Sequence, residues 1–287
     1  MTGRVVKGIG GFYYVFDGEN TYMGKARGNL KRNKDLIYVG DVVDFEIDDN
    51  SECIINSVLR RDNFLIRPPA SNLEMLVLVF AAADPEVNFP VVDKLLAACE
   101  AKNIDTAICI TKGDLVSEDK LNGYMNVYRA IYPTVAVNGQ TGDGIDDLVE
   151  VISGKSVALA GPSGVGKSSI TNMILGYETA ATGSISDKTM RGRHTTRHVE
   201  IFPLEDGTFL YDTPGFTSLE MPSMDEHDIW KLLPEFRKLA GQCRYSDCMH
   251  INEPECAVKE ALVEGEIPAT RYESYLLMTE EVKKWHK

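Results

Sequence analysis

No apolar stretch of this 287-residue chain can span a bilayer. The longest, Met75–Ala83, is far shorter than the roughly 20 residues a membrane helix needs. Residues 1–11 hold no apolar segment of signal-peptide length, so the default expectation is a cytoplasmic protein with no membrane partner. A basic surplus is missing too: 30 Lys+Arg stand against 43 Asp+Glu, a net charge of −13, which speaks against a chain coated all over for nucleic acid. The six cysteines do not form an extracellular disulfide framework. Cys53, Cys99 and Cys109 are scattered in apolar contexts and read as buried thiols. The other three crowd beside a histidine within 243–256, which in a reducing compartment points to metal. There is no internal repeat and no low-complexity tract.

What is present changes character along the chain. Residues 1–70 are electrically neutral, 71–222 carry −9 and 223–287 carry −4. Within the neutral part, Lys25, Arg27, Lys31, Arg32 and Lys34 follow one another with no acid between them, a local basic patch. Five short strand-like runs in residues 1–67, separated by Gly10-Gly11, Asp17-Gly18 and Asp48–Asn50, predict a small barrel. An OB-fold is the commoner solution, and an SH3-like barrel is the alternative. Pro68-Pro69 suits a linker. From about residue 72 strands and helices alternate, which predicts an α/β domain with a mainly parallel sheet and a strand at Met75–Ala83 buried on both faces. After about 222 the strands stop, and two helical patterns, 224–240 and 268–285, flank the cysteine cluster.

Gly161-Pro162-Ser163-Gly164-Val165-Gly166-Lys167-Ser168-Ser169 fits G-x-x-x-x-G-K-[ST] between a strand and a helix. Glycines let the backbone N–H groups wrap phosphates, and the helix adds the positive end of its dipole. Lys167 is placed to reach the β- and γ-phosphates and Ser168 to ligate Mg²⁺. Asp-Thr-Pro-Gly at 212–215 follows a strand, so Asp212 can hold Mg²⁺ through water and the Gly215 N–H can meet the γ-phosphate. Between these motifs Thr196, or second Thr195, would complete the Mg²⁺ shell. The stretch 177–193 suits a switch loop ordered by triphosphate. Thr111-Lys112-Gly113-Asp114 closes a strand. Asp114 can accept from N1–H and N2–H₂ of guanine, donors that adenine lacks, and the Lys112 stem can cover the base. Asn138-Gly139 stands where a base-closing loop often has Ser-Ala. The base selector thus precedes the phosphate loop, a circular permutation. A doubly wound sheet permits this because its ligand loops all lie at strand C-terminal ends.

Cys243, Cys248, His250 and Cys256 make C-x₄-C-x-H-x₅-C, three thiolates and an imidazole, a closed tetrahedral zinc set with no position left for a catalytic water. A Gln after D-x-x-G is lacking: Phe216 cannot orient water. His194, beside Thr195 and Thr196, is the candidate for that task, with an equal alternative of contacting a partner's phosphate or solvent. Tyr13, Tyr14 and Tyr22 are candidates for base stacking, although core packing is the commoner fate of such residues.

The stretches "GRVVKGIGGFYYV", "RPPASN", "ITKGD", "GPSGVGKSS", "GRHTTRHVE", "DTPGF" and "CRYSDCMHINEPEC" together resemble the ribosome small-subunit-dependent GTPase A family over nearly the whole chain. Thr111, where Asn is usual, and Asn138-Gly139 depart from its pattern. The resemblance implies an OB-fold RNA-binding domain at 1–68, a circularly permuted GTPase domain at 69–222 and a helical zinc-binding domain at 223–287. It implies binding to the small ribosomal subunit and its rRNA, and a monomer is the default expectation. It also implies GTP and GDP, Mg²⁺ and one structural Zn²⁺ as ligands, and hydrolysis stimulated by the subunit.

Overall fold

A computed structural model of the chain describes residues 1–28, 36–48, 52–66, 68–182, 199–212, 221 and 223–285, the side chains of 177–182 and 285 excepted. The elements begin with β1 (Thr2–Ile9), β2 (Phe12–Phe16), β3 (Thr21–Ala26), β4 (Val42–Ile47), β5 (Cys53–Val58), β6 (Phe64–Ile66), β7 (Pro69–Ser71) and β8 (Met75–Ala81). Then come α1 (Phe89–Glu100), β9 (Asp105–Thr111), α2 (Glu118–Tyr128), β10 (Thr134–Val137), α3 (Ile145–Ile152), β11 (Ser156–Ala160) and α4 (Lys167–Thr182). The rest are β12 (Glu200–Pro203), β13 (Phe209–Asp212), α5 (Pro234–Arg237), α6 (Ala257–Glu264) and α7 (Ala269–Trp285). The chain divides into two compact units: Met1–Val77 with Ile145–Ala160 and Lys167–Thr217, and Leu78–Gly144 with Gly161–Gly166 and Ser218–Lys287.

The first unit opens with the barrel. β1, β2 and β3 form an antiparallel meander. β3 then pairs parallel with β5, β5 pairs antiparallel with β4, and β4 closes onto β1. A parallel β3–β5 pair with β4 returning to β1 is OB connectivity, which decides between the two barrels the sequence allowed. Alternation puts Val5, Val15, Val43, Phe45 and Ile55 inside, with Cys53 among them. Strands β3 and β5 approach so closely at Gly24 that a Cβ there would lie 1.6 Å from the Cys53 carbonyl oxygen.

Leaving the barrel, β6 and β7 pair as a short antiparallel ladder. Pro69 was expected in an unpaired linker. It stands instead at the first position of a strand, where the ladder tolerates a residue without an N–H. The fully buried Asp41 ties this segment to the barrel, accepting from Arg61 Nε at 2.6 Å, Arg61 Nη2 at 2.8 Å, Ser71 Oγ at 2.6 Å and the Tyr38 N–H at 2.8 Å.

In the same unit β11 runs parallel to β13, β13 antiparallel to β12, and β12 antiparallel to barrel strand β1. The barrel therefore extends the α/β sheet. Arg4 of β1 fastens the junction, donating to Ser156 Oγ at 2.6 Å while its guanidinium lies 4.3 Å from the centre of the Phe209 ring. Tyr211 donates its hydroxyl proton to the Ser71 carbonyl at 2.8 Å.

Strand β8 is buried at every position, as its apolar run predicts, and passes from the first unit into the second. There it neighbours β9, and β9 pairs parallel with β10. Asn88 caps α1 by accepting from the Val91 N–H, and Ser117 caps α2 by accepting from the Lys120 N–H. The pattern over 224–240 does not give one helix. A 3-10 segment at Glu226–Leu232 breaks before α5, because Pro234 forces Leu233 out of the helical region to φ −109°, ψ 107°. Helix α6, ending at Gly265 with φ 80°, has no counterpart in the sequence expectation. The C-terminal lobe has a core of its own, with Ile229, Phe236, Val258, Tyr275 and Val282, and Ala97 of α1 joins it.

The seam between α1 and α7 holds a buried ion cluster. Arg271 donates to Asp93 Oδ1 at 2.8 Å and to both Glu235 oxygens at 2.7 and 3.1 Å, and Tyr128 donates to Asp93 at 2.9 Å. Burial opposes the Arg271 charge, but the Asp93 and Glu235 carboxylates outweigh it and hold its pKa well above the ordinary arginine value. Burial pushes Asp93 above the ordinary carboxylate value, with Arg271 pulling the other way.

Candidate functional site

The nucleotide motifs stand on strand ends. In the second unit, β9 ends at Thr111, and the chain turns at once through Lys112, whose φ of 55° lies in the left-handed region, into a 3-10 turn at Gly113–Leu115. Asp114 sits in that turn and is exposed. Lys112 Nζ donates to the Asp84 carbonyl, which holds its stem alongside the turn.

Thr111 does something its motif position does not announce. It is 2% exposed, and its hydroxyl donates to the Val165 carbonyl of the phosphate loop at 2.6 Å. A hydroxyl has one proton to give. Thr111 thus joins the two loops. The sequence grouped it with Lys112, Gly113 and Asp114 as a nucleotide-contacting residue; its geometry is that of a clasp behind them.

The phosphate loop carries the backbone its composition predicts. Gly161, Gly164 and Gly166 have φ of 144°, 82° and 96°. At Gly161 a Cβ would lie 2.0 Å from the Val79 carbonyl, so no other residue fits. Pro162, Ser163 and Gly164 are exposed and Val165 is buried. The loop 138–144 follows β10. Asn138 Oδ1 accepts from the N–H groups of Gln140 and Thr141 at 2.8 and 3.2 Å, an Asx turn in place of Ser-Ala.

In the first unit Lys167 begins α4, and burial lowers its ammonium pKa from the ordinary value. Ser168 and Ser169 are exposed in the first turn of that helix, where N–H groups and dipole favour an anion. Asp212 ends β13 and is half-buried. The Ser168 hydroxyl and the Asp212 carboxylate are hard oxygen donors, the class Mg²⁺ takes. His194, Thr195, Thr196, Gly215 and Phe216 lie outside the described residues, as do Lys31, Arg32 and Lys34 of the basic patch. Lys25 and Arg27 of that patch are exposed, and Lys25 Nζ lies 4.5 Å from the centre of the Phe12 ring. Tyr13 and Tyr22 pack partly against the barrel core.

The second unit also gathers the cysteine cluster. The donor atoms of Cys243, Cys248, His250 and Cys256 all lie within 4.8 Å of one another. A tetrahedral zinc with bonds of about 2.3 Å to sulfur and about 2.0 Å to nitrogen requires S···S near ~3.8 Å and S···N near ~3.5 Å. Cys243 Sγ lies 3.9 Å from Cys256 Sγ, and His250 Nδ1 lies 3.5 and 3.3 Å from those two sulfurs. Distances and donor chemistry both fit the ion. Burial lowers the His250 pKa, which favours the neutral imidazole that a metal takes. Its ring meets Trp230 and Phe236 edge-on, at 5.4 and 5.9 Å between centres.

The backbone at His250 and Glu255 is left-handed, φ 61° and 52°, a strain the surrounding bonds must hold. Glu253, which the sequence reading passed over, accepts from the N–H groups of Met249, Ile251 and Asn252. Tyr272 donates to the His250 carbonyl at 2.7 Å. An acid inside the ligand loop was the available signal for the first contact. Nothing in the sequence marks the second.

Comparison with known proteins agrees with this layout. Residues 58–222 match the family model described as RsgA GTPase, and residues 2–55 match the RsgA N-terminal domain. Small ribosomal subunit biogenesis GTPase RsgA of Agathobacter rectalis is 42% identical, with 100% of both chains covered. The protein of that name from Carboxydothermus hydrogenoformans is 44% identical, with 98% of each chain covered. Among solved structures, YjeQ from Thermotoga maritima superposes with a TM-score of 0.84 at 34% identity over 98% of each chain. YloQ, described as a circularly permuted GTPase, gives 0.81 at 34% identity over 99% of this chain and 95% of its own. With its permuted order of base-reading turn and phosphate loop, its OB barrel and its Cys₃His cluster, this chain belongs to the RsgA GTPase family and is a GTP hydrolase.

Proposed function

We propose that this chain hydrolyses GTP to GDP and phosphate on the small ribosomal subunit, late in its maturation, with hydrolysis stimulated by the subunit and the nucleotide state gating docking and release. The observation that carries the guanine reading is the Thr111–Val165 hydrogen bond, which holds the Asp114 turn against the phosphate loop. The ribosomal part rests on the names of the full-length relatives. In this reading Asp114 accepts from N1–H and N2–H₂ of guanine and Lys112 covers its face. The backbone of Gly161–Gly166 wraps the phosphates, Lys167 neutralises charge at the β- and γ-oxygens, and Ser168, Asp212 and Thr196 hold Mg²⁺. The ion would supply charge neutralisation at the phosphates. His194 orients the attacking water, or meets rRNA phosphate. Phosphoryl transfer to water needs positioning more than covalent help, so a chain with no Gln after D-x-x-G turns over slowly alone.

The barrel, with Lys25 and Arg27, faces rRNA, and the zinc-bearing lobe is structural. The chain acts as a monomer in the cytoplasm. Among the described residues no helix is long and apolar enough to cross a membrane. The test is phosphate release from GTP and ATP with and without small subunits. The expected result is slow GTP turnover that the subunit raises strongly, and none with ATP. Equal use of ATP would refute the guanine reading, and indifference to the subunit would refute the ribosomal one.

A further inference from the structure

One rung of the sheet in the first unit carries three charged residues on three neighbouring strands. Lys7 of β1 stands opposite Glu200 of β12, and Glu200 stands opposite Asp212 of β13. Residues directly opposite on antiparallel strands project from one face, with Cβ atoms roughly 4.5–5.5 Å apart. Lys7 Nζ meets Glu200 Oε1 at 3.0 Å, and both side chains are partly buried, at 33% and 21% exposure. The order along the rung is therefore cation, anion, anion. The cation comes from the barrel, and the last anion is the carboxylate that ends β13.

We propose that Lys7 and Glu200 are positioning residues that set the Mg²⁺ affinity of Asp212: Glu200 adds negative charge beside the ion's carboxylate, and Lys7 masks it. The inference rests on the reading that Asp212 serves Mg²⁺. It gives the barrel an electrostatic hold on Asp212 through a strand rung. A unit charge roughly 8 Å from a divalent ion, at water-like dielectric, changes affinity about five-fold.

The pair makes predictions of opposite sign, which a merely structural role cannot. Lys7→Met removes a positive charge from the rung and should lower the half-saturating Mg²⁺ concentration about five-fold, while Glu200→Gln removes a negative charge and should raise it by a similar factor. The double variant should return within about two-fold of the unaltered protein, and Lys7→Arg should not move it. The readout is Mg²⁺-dependent equilibrium binding of a fluorescent, non-hydrolysable GTP analogue to the full chain, at low and high salt. The shifts should shrink in high salt, where exposed charges are screened. Movement of both single variants in the same direction, or of neither, would overturn the proposal. Asp212→Asn tests the underlying reading separately: an unchanged Mg²⁺ midpoint in that variant would mean that Asp212 does not serve the ion.

Discussion

Replacing Arg271 with methionine keeps the length of the side chain and removes a charge from a site where all three partners are nearly sealed: Arg271 is 1%, Asp93 0% and Glu235 7% exposed. The substitution strands two carboxylates that a single guanidinium now satisfies through three hydrogen bonds. Breaking a buried pair from one side costs about 3–5 kcal/mol, and two stranded anions place this variant at the upper end. With a urea dependence of about 2 kcal/mol per molar, the unfolding midpoint should fall by about 2 M. Trp230, in the same unit and edge-on to His250, gives the fluorescence signal. The loss should depend on pH. Burial already holds the folded pKa of Asp93 above its unfolded value of about 4, and loss of the Arg271 cation that pulls it down raises it further. A carboxyl with a raised folded pKa contributes its stability below the unfolded pKa and loses it as pH climbs through the folded one. The deficit should therefore be small near pH 4 and complete at pH 7. Adding Asp93→Asn and Glu235→Gln to the same chain should recover most of the loss. A midpoint shift below about 0.5 M at pH 7, or one that does not vary with pH, would refute the argument.

Thr111→Val, which keeps the shape and removes the proton, should weaken guanine-nucleotide binding by roughly ten-fold, the worth of one hydrogen bond at about 1.4 kcal/mol; Thr111→Ser should retain it in the same titration. Gly161→Ala should abolish nucleotide binding, measured by calorimetry, because the new methyl would overlap the Val79 carbonyl at 2.0 Å. Cys256→Ser should lower zinc affinity by more than the ~10–100-fold that loss of an outer hydrogen-bond partner costs, measured by competition with a chelating dye. Gly24→Ala should open the barrel, since its Cβ would meet the Cys53 carbonyl at 1.6 Å, and amide exchange across β3 and β5 would report it.

The local rules were legible. Short runs punctuated by turn residues located the barrel strands, the glycine spacing located the phosphate loop, and the density of Cys and His located the cluster. What stayed hidden depends on partners distant in sequence. Whether the barrel was OB or SH3-like turned on the parallel β3–β5 pairing, a register that single strands do not encode. Thr111 looked like a substitution in a base-reading motif because its partner, Val165, is 54 residues away. Arg271, Asp93 and Glu235 are ordinary charged residues in ordinary helical patterns, and only their meeting makes them a lock. Pro234 was visible, yet the apolar rhythm around it outweighed its effect on Leu233 in the reading of 224–240.

The lock between α1 and α7 also bears on how the protein is made. Asp93 and Arg271 are 178 residues apart, so at bacterial elongation rates roughly 10–35 s pass between their syntheses. Throughout that interval the helix carrying Asp93 has no counter-ion and no lobe to cover Ala97. A polypeptide interrupted before Ala269 cannot finish the unit that holds Thr111 and the phosphate loop. The segment made last thus supplies the charge that the segment made early needs before its seam can close.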